Sequence, residues 1–314
     1  MIPPSAIREL SRISPGKVSL DVPLSHISQW KIGGVADVVV APSSVEEIVS
    51  LRSWLHSTGT PSIVVGATSN LLFSDDGVRA VVVKIGGSFS GLRISGSRIH
   101  AAPGTWVPGL ARHAMLEGLS GVEHICGIPG TLGGLVYMNG GSMRRGIGEC
   151  ITAVQSVDSV GRLVTRNSDE CQFGYRSSIF QQLDEVICRV TISLEPKSAS
   201  LIRRSMLEIL RDRRLKFPRK LPNCGSVFVS NPSMYAEFGP PGRVIEECGY
   251  KGLRFGGARV SPQHANFIVN ESNATASDVM SLIDFVRAGV ARRTGYLMKV
   301  EARYVESTGI IREI

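Results

Sequence analysis

Apolar residues along the chain follow two periods. The short runs Val38-Val39-Val40, Ile63-Val64-Val65 and Val81-Val82-Val83 read as buried strands. Between the first two, Val45, Ile48, Val49 and Leu55 recur at helical spacing over 44–58, with a Ser44/Glu47 capping-box signal before them and Gly59 and Pro61 to stop the helix. Residues 105–117 suit a helix ending at Gly118, and 146–194 break into short β-like segments. Apolar spacing at Met206, Ile209 and Leu210 predicts an arginine-rich helix over 201–216. The clearest helix covers 277–293, where Val279, Leu282, Ile283, Val286 and Val290 form one stripe and Gly295 caps it. Over 296–305 the period becomes two, with Tyr296, Met298, Val300, Ala302 and Tyr304 on one face and Lys299, Glu301 and Arg303 on the other. Residues 1–20, with prolines at 3, 4 and 15, read as an extended lead-in. Together the βα units and antiparallel-looking strands predict an α+β protein with a boundary near Pro196: a lead-in of 1–20, a first region of 21–195 and a second of 196–314.

At 314 residues the chain exceeds one typical domain, and 43% hydrophobic with 20% charged residues is ordinary for a folded protein. The net charge of +8 asks for an anionic partner without choosing among nucleic acid, nucleotide cofactor and phosphorylated substrate. No basic tract interleaves with aromatics and no zinc-finger spacing occurs, which argues against nucleic acid. Cysteines 126, 150, 171, 188, 224 and 248 include no CxxC pair and read as free thiols, with no metal site expected. The N-terminus lacks a basic-then-apolar leader and no run of 18 apolar residues exists, so the expectation is a cytoplasmic protein with no membrane span and no protein partner.

Two glycine-rich loops carry the first candidate chemistry. Gly66-Ala67-Thr68-Ser69-Asn70-Leu71 follows a strand signal. Such a loop can turn backbone N–H groups and hydroxyls toward one point, as a pyrophosphate requires, although an ordinary strand-to-loop turn has the same composition. Gly127-Ile128-Pro129-Gly130-Thr131-Leu132-Gly133-Gly134 is denser and lets backbone approach a ligand; a hairpin corner is its plain alternative. Neither is the G-x-G-x-x-G of a nicotinamide-binding Rossmann unit.

With Tyr137-Met138-Asn139, these loops resemble the FAD-binding fold of the vanillyl-alcohol-oxidase type, and more narrowly the UDP-N-acetylenolpyruvoylglucosamine reductase (MurB) family. Further motifs resemble that family in order across residues 25–304: Lys31-Ile32-Gly33-Gly34 with Ala36-Asp37, then Phe173-Gly174-Tyr175-Arg176-Ser177-Ser178-Ile179-Phe180. Gly225-Ser226-Val227-Phe228 with Asn231-Pro232 follows, and then the stretch from Ser261-Pro262-Gln263-His264 to Val269-Asn270. The resemblance implies noncovalent FAD, NADPH as hydride donor, and a UDP-sugar substrate whose enolpyruvyl group is reduced in cytoplasmic peptidoglycan synthesis. It implies cofactor contacts at Gly66, Ala67, Thr68, Ser69, Asn70 and Leu71 and at Gly127, Ile128, Pro129, Gly130, Gly133 and Gly134. It puts the family's catalytic arginine at Arg176, its proton-donor serine at Ser226 and its late glutamate at Glu301. Substrate contacts fall at Tyr175, Asn231 and His264, and a diphosphate-binding lysine at Lys216, flanked by Arg213 and Arg214.

Singly, Arg176 could be a surface ion-pair residue, Ser226 a turn former and Glu301 a solvated strand residue. The implied chemistry explains why these types occur together. Hydride addition to the enolpyruvyl β-carbon builds negative charge on the α-carbon and carboxylate, to which an arginine and a protonated, desolvated glutamate can donate. A serine can then protonate the α-carbon, because a carbanion-like enolate is a strong base. The chain departs from the family in lacking the longer form's insertion with a substrate-capping tyrosine, and in carrying Val229-Ser230 before Asn231 where many members have a basic residue. A sugar or alcohol oxidase of the same fold would lack Gly-Ser-Val-Phe and the late glutamate; a non-catalytic nucleotide-binding module would carry no flavin.

Overall fold

The computed structural model describes residues 2–314. Its first lobe is a four-stranded sheet in the order Val18–Pro23, Val35–Val40, Val78–Lys84, Ser62–Val65; the last three strands are parallel and the first is antiparallel. The two inner strands are covered on both faces, which is why each carries a run of three valines, 38–40 and 81–83. Val38, Val40, Val81 and Val83 pack with Leu10, Ile48 and Leu51, while Ala36, Val39, Ile63 and Val82 pack with Leu24 and Phe73.

The helix Val45–Thr58 starts at Ser44, whose hydroxyl accepts the Glu47 N–H at 3.2 Å, and ends at Gly59 in the left-handed conformation, φ +60°. The expected capping box is only half formed. Instead of returning to Ser44, the Glu47 carboxylate takes the Ser43 N–H at 3.0 Å and pairs with Lys17 at 2.5 Å. Residues 1–20 differ from the extended lead-in expected of them. They hold the helix Pro4–Ile13 and the start of the first strand. Pro4 sits in the first turn, where a missing N–H costs nothing, and Ala6 and Leu10, four apart, bury one face.

The second lobe is a five-stranded antiparallel sheet, in the order Leu163–Asn167, Ile151–Val157, Val186–Ser193, Arg98–Ala101, Leu92–Ser95. The helices Val107–Leu116 and Leu132–Tyr137 pack on it. So does the helix Ala199–Lys216, through Ile202 and Met206, although it follows Pro196.

The C-terminal unit combines a small sheet of Arg254–Phe255, Ala258–Val260 and Ile268–Asn270 with the helix Ala276–Thr294. The whole predicted stripe of that helix is buried, and Thr275 and Asp278 form a complete capping box. The unit is bolted to the first lobe by Trp30, whose indole N–H donates to the Ile268 carbonyl at 2.8 Å and whose own carbonyl accepts from Asn270 at 3.0 Å. The chain then returns to the first lobe: Arg303–Val305 pairs in parallel with Leu71–Phe73. The predicted period-two run is visible as buried Met298, Val300 and Ala302, but its pairing is interrupted, with one bridge from Val300 to Phe228 before the strand proper. A cut at 196 therefore separates a sequence region whose first helix and whose strand Arg303–Val305 both lean on the preceding lobes. Among the described residues, no helix is long and apolar enough to cross a membrane.

Candidate active site

The three units meet around a cavity of about 1330 Å³. That exceeds the roughly 300–1,000 Å³ of most small-molecule sites and suits a dinucleotide with a second ligand. Its wall is built from the loop 66–71, most of the loop 126–134 and the segment 217–226, with Arg176, Phe267, Glu301 and Arg303.

Arg176 sits in a tight turn closed by the Gly174 N–H to Ser177 carbonyl bond (3.0 Å) and the reverse bond (3.2 Å). Its φ of +55° is left-handed, a strained conformation for a residue with a Cβ. Asn139 steadies the turn: its Nδ2 donates to the Gly174 carbonyl at 2.7 Å while its Oδ1 accepts the Gly148 N–H at 2.9 Å. The guanidinium donates from Nη1 to the Gly141 carbonyl at 3.2 Å, and its Nε lies 3.1 Å from Glu301 Oε1. The second contact is an ion pair without hydrogen-bond alignment, because the buried Nε has no hydrogen-bond partner.

Glu301 is held by its backbone on both sides. Its N–H donates to the Val227 carbonyl at 2.7 Å, and its carbonyl accepts from Asn70 Nδ2 at 2.9 Å. Burial raises its carboxyl pKa and outweighs the opposing pull of Arg176. Ser226 immediately precedes Val227 and Phe228, the residues joined to Glu301 and Val300. Gly225 before it adopts φ +86°, which only glycine takes readily, so the serine is delivered to the cavity by a turn.

Comparison with known proteins bears on this geometry directly. The chain is 46% identical over 296 residues to UDP-N-acetylenolpyruvoylglucosamine reductase 1 of Corynebacterium glutamicum, covering 94% of this chain and 88% of the relative. It is 40% identical over 285 residues to the reductase of Moorella thermoacetica, covering 91% and 92%. The chain belongs to the UDP-N-acetylenolpyruvoylglucosamine reductase (MurB) family. Residues 217–305 match the family's C-terminal domain and residues 36–167 match an FAD-binding domain. The crystal structure of the MurB reductase from Thermus caldophilus superposes with a TM-score of 0.78 at 30% identity, covering 92% of this chain and 98% of that one. The architecture is thus the FAD-binding fold of the vanillyl-alcohol-oxidase type with a C-terminal α+β domain.

The residues present fit FAD. Gly66 and Gly130 both line the cavity; a Cβ on Gly66 would collide with Thr131 Oγ1, whereas one on Gly130 meets only Ser69 Oγ, at 3.7 Å. Thr131 Oγ1 is buried without a hydrogen-bond partner on the cavity wall, a donor free for a ligand oxygen. Not every residue of the first loop is free in this way. The Thr68 hydroxyl donates to the Ile27 carbonyl at 2.9 Å and Asn70 Nδ2 to the Glu301 carbonyl, so both shape the loop while lining the cavity beside Gly66, Ala67, Ser69 and Leu71. Gly127 has a packing reason as well: a Cβ there would meet Arg213 Cδ at 2.6 Å.

The four MurB substrate contacts expected at Tyr175, Lys216, Asn231 and His264 lie off the cavity wall. Tyr175 is exposed, with the Arg176 guanidinium 5.7 Å from its ring centre. Lys216 pairs with Asp212 at 3.0 Å on the solvent face of its helix. Asn231 caps the helix Pro232–Phe238, accepting the Ser233 and Met234 N–H groups at 2.9 and 3.1 Å. His264 packs against Phe217 and Phe267 at 5.3 and 5.1 Å, two rings that do line the cavity, and burial lowers its pKa.

Arg213, which the sequence places beside the diphosphate-binding lysine, lines the wall, as do two cations that sequence reasoning does not name, Arg219 and Lys220. Arg213 is visible in principle, since it follows Met206 by seven residues and so continues the buried stripe of the helix. All six thiols are free, and burial pushes Cys171 up to about 11 and Cys188 to about 12, far from thiolate chemistry at neutral pH.

Proposed function

We infer that this protein reduces UDP-N-acetylglucosamine enolpyruvate to UDP-N-acetylmuramate, with NADPH as donor and noncovalent FAD as carrier, in the synthesis of peptidoglycan precursors. The observation that carries this is the 3.1 Å approach of Arg176 to a half-buried Glu301 on the wall of a cavity that Ser226 also lines. Bound FAD supplies hydride chemistry that protein side chains lack.

The chain's own groups supply the rest. Arg176 pairs with the substrate carboxylate and stabilises the charge that grows there as the β-carbon receives hydride. Glu301, whose carboxyl is biased toward the protonated form by burial, donates to the same charge from that form. Ser226 gives its proton to the α-carbon and is reprotonated from solvent. Arg213, Arg219 and Lys220 offset the charge of the UDP diphosphate, and Lys216 joins them by leaving Asp212. The exchange is favourable because an exposed i,i+4 pair is worth about 0.3–0.5 kcal/mol, whereas a charge-assisted diphosphate contact is worth about 1.5–3 kcal/mol. Tyr175 and Asn231, which stand outside the cavity wall, act at its approach, Asn231 by capping the helix Pro232–Phe238, and His264 acts by supporting Phe217 and Phe267. The FAD-binding region is residues 21–195 and the substrate-binding region 196–314. The protein works in the cytoplasm on diffusible nucleotides, without nucleic acid, membrane or protein partner. The test is NADPH consumption that depends on the enolpyruvyl nucleotide, with the product identified by a mass gain of two hydrogens; oxygen consumption driven by simple sugars, without NADPH, would instead support an oxidase.

A further inference from the structure

We propose that Gln181 is a positioning residue that holds Arg176 in its left-handed turn and in register with Glu301. The inference rests on the functional reading above. Gln181 closes a single helical turn, Ile179–Gln181, just after the Arg176 turn. Its Nε2 donates to the carbonyl of Arg176 itself and to that of Tyr137, both at 3.0 Å. Its Oε1 accepts from Arg303 Nη2 at 3.1 Å. One amide thus uses both of its N–H groups and its oxygen on three separate segments. The Tyr137 carbonyl, which also accepts from Ser178 at 2.7 Å, ends the helix that follows the second glycine loop. Arg303 lies two residues beyond Glu301, and its N–H donates to the Asn70 carbonyl at 3.0 Å while Asn70 Nδ2 holds the Glu301 carbonyl. The peptide of Arg176 and the peptide of Glu301 are therefore tied to one another through Gln181 and Arg303.

Two features make this tie matter. Arg176 holds a φ that its Cβ disfavours, and such a conformation persists only where the surroundings over-determine it. Its Nε makes no aligned hydrogen bond to Glu301, so the guanidinium is located by its own backbone and by Gly141 rather than by its acidic neighbour. Only glutamine has the required polarity at 181. Glutamate could still accept from Arg303 but would turn acceptors toward two carbonyls.

The test compares Gln181→Met and Gln181→Glu in the flavin-loaded protein by anaerobic stopped flow. Flavin content and the rate of flavin reduction by NADPH should stay near wild type in both. Reoxidation by saturating enolpyruvyl nucleotide should fall about 10- to 100-fold in both, the scale of an ångström-level misplacement of a reacting group. Should Gln181→Met lose flavin, the near-isosteric Gln181→Glu carries the test. Wild-type reoxidation by Gln181→Glu overturns the proposal, since Arg303 contact alone would then suffice, and so does equal loss in both half-reactions, which marks general support of the fold. Failure of the unsubstituted protein to be reoxidised overturns the functional reading and this inference with it; normal wild-type reoxidation with unaffected variants overturns the inference alone.

Discussion

Gly130→Val separates exclusion of the cofactor from damage to the fold. A Cβ on Gly130 makes only an ordinary 3.7 Å contact with Ser69 Oγ, and Gly130 is not among the glycines with left-handed φ, so the protein itself accepts a side chain there. What valine disturbs is the cavity on whose wall Gly130 lies. Forcing branched carbons against a close-packed ligand costs about 1–3 kcal/mol, which is about five- to 150-fold in Kd. Neighbouring glycines serve as controls, because at Gly127 the same change runs into Arg213 Cδ at 2.6 Å and strains the apoprotein. The assay is the flavin-to-protein ratio from visible absorbance, an FAD titration of the apoprotein, and its denaturation midpoint. The variant should be recovered largely colourless, with apoprotein stability within about 0.5 kcal/mol of wild type. Wild-type flavin affinity would refute the placement of the cofactor against this loop; a stability loss matching the affinity loss would refute the claim that the fold is spared.

Three further outcomes are expected. Ser226→Ala should leave flavin reduction by NADPH near normal and slow reoxidation by the enolpyruvyl substrate by about 10²–10⁴ or more, with partial recovery in Ser226→Cys; equal slowing of both half-reactions in stopped flow would make Ser226 a positioning residue only. Lys216→Ala should raise the sugar-nucleotide KM about ten- to a hundredfold with flavin reduction little changed, whereas an unchanged KM would leave Lys216 as no more than the exposed partner of Asp212. Because burial raises the pKa of Glu301, its protonated fraction persists above the usual carboxylate range and falls as pH rises through that raised value. Reoxidation should decline along the same limb, and Glu301→Gln, which cannot ionise, should flatten it; an identical limb in the variant would assign it to another group.

Elements with strong local signals are legible in the sequence. The stripe from Val279 to Val290 and the Ser44 and Gly59 caps mark their helices because each is a short-range preference written in adjacent residues. The helix Pro4–Ile13 is hidden by its prolines, which stop a helix inside but suit its first turn. The helices Pro232–Phe238 and Pro241–Glu247 are single seven-residue pieces, too short to show a period. At the site, the glycine loops announce a backbone–ligand approach by composition. Arg176, Ser226 and Glu301, by contrast, emerge only through resemblance, since each alone is an ordinary surface residue type. Asn139, Gln181 and Arg303 leave no local mark, because their hydrogen bonds join segments that only the tertiary fold brings together.

The most direct measurement is an anaerobic single turnover. The flavin-loaded protein is bleached with one equivalent of NADPH and mixed with one equivalent of UDP-N-acetylglucosamine enolpyruvate. If the protein is the reductase proposed, flavin absorbance returns stoichiometrically with formation of UDP-N-acetylmuramate, and UDP-N-acetylglucosamine without the enolpyruvyl group leaves it bleached. Flavin that stays reduced with the enolpyruvyl nucleotide, yet reoxidises readily with oxygen, would contradict it.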